Sequence, residues 1–193
     1  MVRVGVLAVQ GDFTEHSHAL ERVGIEAVEI RLPEQLSDVD GLIIPGGEST
    51  TIVQLIDIYK FRDSLKVKAD DGFPIWGTCA GMIVMASELI DKRPEPLKLM
   101  DIIVNRNAFG RQVDSFEADI KVDGMADGPF RAVFIRAPIV VKVGVNVEII
   151  SKIDNGNVVA VRQGNLLATA FHPELTDDSR MHLLFAKMIE DST

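Results

Sequence analysis

The chain has 193 residues, 47% of them hydrophobic and 25% charged, which is ordinary for one globular domain over residues 1–193. Its net charge of −9 argues against nonspecific binding to nucleic acid or to an anionic membrane. A single cysteine excludes an internal disulfide framework and any multi-cysteine zinc site.

No apolar run approaches the ~20 residues of a membrane span, and the apolar start is broken by Gln10-Gly11-Asp12. A cytoplasmic location is expected. The first half alternates strands and helices. Strands are predicted near 3–9, 26–31, 40–44 and 74–78. Helices are predicted near 14–23, ending at Gly24, near 50–69, and near 80–89. This alternation, with continuous apolar strands, predicts an α/β fold with a mixed, mostly parallel sheet between two helical layers. Residues 91–99 read as a variable loop. The second half is strand-rich, with strands near 101–105, 116–122, 130–136, 146–151, 157–162 and 165–171. Asn155-Gly156 predicts a hairpin turn. A last helix is expected near 178–190.

The lone cysteine lies in Gly77-Thr78-Cys79-Ala80-Gly81, between a short apolar strand and a helix. Glycines around a strand-to-helix corner permit a strained turn that raises the side chain of Cys79 above the sheet. The helix start then directs free N–H groups at the sulfur, a setting that activates a nucleophile. By position and type alone, inert packing explains one buried cysteine equally well. A nucleophile also needs a base and an orienter.

Among four histidines, His172 stands at the end of an apolar strand in Phe171-His172-Pro173-Glu174. In extended chain, residues i and i+2 project to one side, so Glu174 can orient His172. A solvated strand end with two polar residues is the plainer alternative. His16 and His18 on the first helix, and His182 on the last, are expected at surfaces or helix flanks. The third element is Pro45-Gly46-Gly47-Glu48-Ser49-Thr50-Thr51, a strand running into a Gly-Gly turn and a helix with Ser/Thr caps. Backbone N–H groups of Gly47 and Ala80 are the expected oxyanion donors. A plain strand–turn–helix junction is the alternative here. No phosphate-binding glycine motif is present. Gly46-Gly47, Cys79 and His172 all fall at carboxyl ends of predicted strands, where such sheets bind ligands.

Four segments together closely resemble class I, triad-type glutamine amidotransferases. They are Gly5-Val6-Leu7-Ala8-Val9-Gln10-Gly11, the Pro45–Thr51 run, Gly77–Gly81 and Phe171-His172-Pro173-Glu174-Leu175. Two further stretches make the chain similar to one branch, the glutaminase subunits of pyridoxal 5′-phosphate synthase. These are the stretch that opens with Arg106 and closes with Ser115-Phe116-Glu117, and Val133-Phe134-Ile135-Arg136-Ala137-Pro138. The resemblance covers about residues 4–189.

It implies hydrolysis of L-glutamine to glutamate and ammonia by Cys79, His172 and Glu174. It implies glutamine recognition by Gly47, Glu48, Ser49, Arg106, Ile135 and Arg136, and it places Gln10 at a subunit contact. It implies no cofactor and no metal. The partner implied is a synthase subunit on a separate chain, part of a ring-shaped core that builds pyridoxal 5′-phosphate from two sugar phosphates. A glutaminase of another pathway would keep the triad but change the arginine segments. Cysteine-elbow hydrolases of related fold usually carry histidine where this chain has Ala80. A silent binding subunit would have no need of the intact triad.

Overall fold

The structure is a computed structural model and describes residues 2–106 and 115–192. Residues 107–114, the middle of the first arginine segment, lie outside the described residues.

The parallel half is built from β1 (Arg3–Leu7), β2 (Glu26–Ile30), β3 (Gly41–Ile44) and β4 (Ile75–Thr78). Strands β3 and β4 are buried at every position, as expected of strands covered on both faces. The antiparallel half adds β6 (Met100–Asn105), β9 (Ile139–Val143), β10 (Glu148–Lys152), β11 (Val158–Gln163) and β12 (Leu166–Thr169). The sheet order is β2-β1-β3-β4-β12-β11-β9-β6, with β5 (Ala86–Leu89) outside β6 and β10 beside β11. Strand β12 joins the halves. It runs parallel to β4, with Thr169 opposite Thr78, and antiparallel to β11. The two strands that carry the cysteine and the histidine motifs are therefore neighbours. A separate antiparallel ribbon pairs β7 (Ser115–Ile120) with β8 (Phe130–Ile135).

Helices α1 (Phe13–Arg22) and α5 (Arg180–Ser192) cover one face. His16 of α1 and His182 and Phe185 of α5 all pack against the Trp76 ring. Gly77, pointing the other way, abuts α4 (Ala80–Met85). Helix α2 (Ser49–Ile58) packs on α4 and is followed by α3 (Phe61–Asp70). The α/β class and the mixed, mostly parallel sheet flanked by helices are as the sequence predicts. No helix among the described residues is long and apolar enough to cross a membrane.

Several boundaries differ. The helix expected near 80–89 stops at Met85, and residues 86–89 pair with β6 as a parallel edge strand. Helix propensity in Ala86-Ser87-Glu88-Leu89 yields to sheet pairing. The helical stretch near 50–69 is two helices, broken where Lys60 takes a left-handed φ of 63°. Strand β9, a β-branched run, has no counterpart in the sequence prediction. The Asn155-Gly156 hairpin is present between β10 and β11, with Gly156 at φ 85°.

Candidate active site

Cys79 sits at the junction of β4 and α4 with φ 47° and ψ −102°, a backbone state costly for a residue with a side chain. Two glycines make the corner possible. A Cβ on Gly77 would lie 2.5 Å from the Gly81 carbonyl carbon, and one on Gly81 would lie 2.1 Å from the Ile44 oxygen. Helix α4 can therefore close directly on the sheet. The Cys79 N–H donates to Thr169 O at 2.8 Å, fixing the corner to β12. The thiol lies 3.8 Å from Ile135 O and is 7% exposed. Ala80 is the first residue of α4, so its N–H has no intrahelical acceptor.

His172 follows β12, and its N–H donates to Val133 O at 2.8 Å. Its side chain meets Glu174, with Nδ1 and Oε1 2.7 Å apart. The backbone route is not the extended one expected. Pro173 opens a 3-10 turn over Pro173–Leu175, and the turn brings the carboxylate under the imidazole. Asp12, at the start of α1, places Oδ2 3.4 Å from the same Nδ1. Burial opposes charge on His172, but its bonds with Asp12, Cys79 and Glu174 outweigh it and raise the imidazole to about 12. Burial pushes Glu174 up, while the His172 bond pulls it back. The Glu174 bond therefore orients the imidazole and favours its charged form.

The Gly-Gly turn follows β3. Gly46 O accepts from Asp12 N–H at 3.1 Å, and Glu48 N–H donates to Gln10 Oε1 at 2.9 Å. Both glycines are needed for close approach. A Cβ on Gly46 would lie 2.4 Å from His172 Cε1, and one on Gly47 would lie 2.6 Å from Gln10 Oε1. The cap of α2 differs from expectation. Glu48, not Ser49, is the N-cap, and its carboxylate accepts from Thr50 N–H at 3.0 Å and Thr51 N–H at 2.8 Å. Burial would push Glu48 up. The Thr50 and Thr51 hydrogen bonds override it and bring the carboxyl down to about 2.

These pieces enclose a cavity of about 320 Å³. Gly47, Glu48, Ser49, Cys79, Ala80, Arg106, Ile135, Arg136 and His172 all line it, joined by Asp12, Ile83 and Leu175. Glu174 lies behind His172, and Gln10 lies behind the Gly-Gly turn. Arg106 points its guanidinium at Glu48 Oε1, 3.9 Å away, at Asp91 Oδ2, 3.5 Å away, and at the Arg93 carbonyl. Arg136 adopts φ 45°, turning the chain at the end of β8. Two arginines lining one cavity with Cys79 suit a substrate with a carboxylate.

Asp12 is the charged lining residue that sequence reasoning passed over. Its position just beyond the carboxyl end of β1 was the available signal. Asp12, His172 and Glu174 could in principle hold a cation. The 2.7 Å contact between Nδ1 and Oε1 leaves no room for an ion between them. His18 is exposed as expected, but His16 and His182 are fully buried, contrary to expectation. They lie under β4, where Trp76 and Thr78 receive them.

Comparison with known proteins adds sequence and fold relatives to this geometry. The profile of the SNO glutamine amidotransferase family matches residues 6–191. A pyridoxal 5′-phosphate synthase subunit PdxT of Dehalococcoides mccartyi is 56% identical over 189 residues, spanning 97% of each chain. A protein of the same name from Frankia alni is 52% identical over 192 residues, covering 98% of this chain and 96% of its own. A crystal structure of a glutamine amidotransferase superposes with a TM-score of 0.92 at 46% identity, over 97% of this chain and 98% of that one. PurLQS from Thermotoga maritima shares the fold at 18% identity, with a TM-score of 0.69 over 99% and 96% of the two chains. By this match across nearly its whole length, the chain belongs to the SNO glutamine amidotransferase family.

Proposed function

We propose that this chain, acting as a single domain, is the glutaminase subunit of a pyridoxal 5′-phosphate synthase. The observation that carries the reading is the strained Cys79 corner, opening on a cavity lined by His172, with Glu174 2.7 Å behind that imidazole. Arg106 and Arg136 hold the glutamine α-carboxylate, and Glu48, Ser49 and the Ile135 backbone position the rest of the substrate. The sulfur of Cys79, its proton passed to His172, bonds to the side-chain amide carbon. N–H groups of Gly47 and Ala80 bind the oxyanion that forms. His172 then gives its proton to the departing nitrogen, the C–N bond breaks, and ammonia leaves a γ-glutamyl thioester. Water attacks this ester while His172 takes its proton. The C–S bond breaks, glutamate is released and the thiol is restored.

Free ammonia becomes ammonium in water and is lost as a nucleophile, so it must pass straight to an acceptor. The relatives named as synthase subunits support an acceptor site on a separate synthase chain. Gln10 is proposed to sense that partner, because its side chain already holds the Glu48 N–H beside the oxyanion turn. Incubation with a glutamine-analogue electrophile, followed by peptide mapping, is expected to label Cys79 alone, and label elsewhere refutes the nucleophile. Gln10→Ala is expected to weaken activation of glutaminase by added synthase. An unchanged response removes Gln10 from the sensor role.

A further inference from the structure

Behind the proposed orienter lie two histidines that this reaction does not use. His16 and His182 are each 0% exposed. His16 Nδ1 is 3.0 Å from His182 Nε2. His16 Nε2 is 3.0 Å from Thr78 Oγ1 and 3.3 Å from Glu174 Oε2. That second oxygen of Glu174 is buried and receives no well-directed hydrogen bond among the described residues. His16 Nε2, shared with Thr78, lies within reach of it.

Burial pushes both imidazoles down, His16 well below its ordinary value and His182 to about 3. Each is therefore neutral, with one N–H and one bare nitrogen. One of the two facing nitrogens must donate. If His16 Nδ1 donated, its bare Nε2 would face the carboxylate oxygen, two acceptors in contact. The other assignment has no such clash. His182 Nε2–H donates to His16 Nδ1, and His16 Nε2–H points to Thr78 and Glu174. The bare nitrogen is then His182 Nδ1, which has no partner among the described residues.

We propose that His16 is a positioning residue for the glutaminase reaction: its Nε2–H, locked in that tautomer by His182, holds Glu174 as an oriented carboxylate behind His172. The proposal rests on the glutaminase reading above. The groups acting on Glu174 are His172, Asp12, its own backbone N–H and His16, with Thr78 and His182 against His16 and Arg22 acting on His182 one step further. Without the His16 N–H, the buried carboxylate would bind a proton more readily. A protonated Glu174 could donate to His172 Nδ1, which reverses the imidazole tautomer that catalysis needs.

Two substitutions separate this role from packing. In His16→Gln the amide nitrogen can occupy the place of Nε2 and keep the donor to Glu174. In His16→Asn the shorter amide serves only the His182 side. With the synthase partner present, His16→Gln is expected to keep kcat within about threefold. His16→Asn is expected to lose about 10- to 100-fold in kcat, the range of a hydrogen bond to a charged group, with KM nearly unchanged. The acid limb of kcat/KM should move to higher pH in His16→Asn only. Equal kcat in the two variants, or a loss confined to KM, overturns the assignment.

Should His16→Asn fail to fold, the wild-type chain supplies a separate test. With 15N-labelled histidine, only four imidazoles contribute signals. His16 and His182 should both read as neutral Nε2–H tautomers through the neutral range. A His16 signal of the Nδ1–H or imidazolium type overturns the proposal. Wild-type inactivity would instead refute the glutaminase reading, and the tautomer spectra judge His16 independently of it.

Discussion

Replacing Gly46 by alanine alters the identity of no proposed catalytic side chain and tests whether their geometry matters. The new Cβ would stand 2.4 Å from His172 Cε1, and 3.0 Å from both His172 Nδ1 and Asp12 Oδ2. Carbon atoms in contact prefer about 3.5–4.0 Å, so the imidazole must retreat by about 1 Å. It cannot do so and still keep both its 2.7 Å bond to Glu174 and its approach to Cys79. A displacement of that size costs about 100-fold in rate, or about 2.7 kcal/mol of barrier. The backbone itself accepts alanine, because Gly46 is not among the positive-φ residues. The overpacking cost to stability should then be about 1–3 kcal/mol, enough to measure without unfolding the chain. The assay is glutamate release with the synthase partner present, with a thermal melt in parallel. A Gly46→Ala protein that folds and keeps kcat within about threefold of wild type refutes the placement of His172 as base.

His172→Asn should lower kcat about as far as Cys79→Ala does, because triad members act as a unit, and Glu174→Gln should cost less. If His172→Asn keeps more than about a tenth of wild-type kcat, a loss under ~1.4 kcal/mol, another residue is the base. His182→Gln keeps a donor for His16 and removes a buried titration. The folded-state value of about 3 lies below the ordinary 6.5, so the unfolded chain binds the proton first. Wild-type stability is therefore full above 6.5 and falls as pH drops toward about 3, by roughly 2–5 kcal/mol from this group. Urea melts of His182→Gln should show a flatter fall over that window, and an unchanged slope contradicts a neutral buried His182. Glu48→Gln should cost about 1 kcal/mol at neutral pH through the lost cap of α2. Its carboxylate stabilises above 4.5 and is lost as pH falls through about 2, so wild type and variant should converge in acid.

The parallel half of the fold was legible because its strands are short apolar runs and glycine punctuates them. Gly24, Gly46-Gly47 and the glycines around Cys79 each mark a real corner. The failures came where tertiary contact decides. Ala86-Ser87-Glu88-Leu89 carries helix formers, yet a free β6 edge captures it. The cap of α2 was expected from the Ser/Thr run, and only the course of the chain past Gly47 reveals Glu48 in that place. His172 and Glu174 were paired by assuming extended backbone. A 3-10 turn brings them together instead, because Pro173 can open such a turn but cannot prolong a central strand.

The histidines were misread for a more general reason. Periodicity tells which helix face is buried. It does not tell whether a polar residue on that face will find a partner, since the partner lies far away in sequence. His16 meets residues 62, 158 and 166 positions distant, namely Thr78, Glu174 and His182. What unites them is the segment from Gln10 to His16. Gln10 holds the Glu48 N–H, and Asp12 holds the Gly46 carbonyl and reaches His172. One turn further on, His16 reaches Glu174 and Thr78, the residue before Cys79. The end of β1 and the first turns of α1 thus touch the Gly-Gly turn, His172, Glu174 and the strand that leads to Cys79, the proposed oxyanion turn, base, orienter and nucleophile, together. A partner that shifts this segment would act on all four at once, so the proposed activation would require no movement of the sheet.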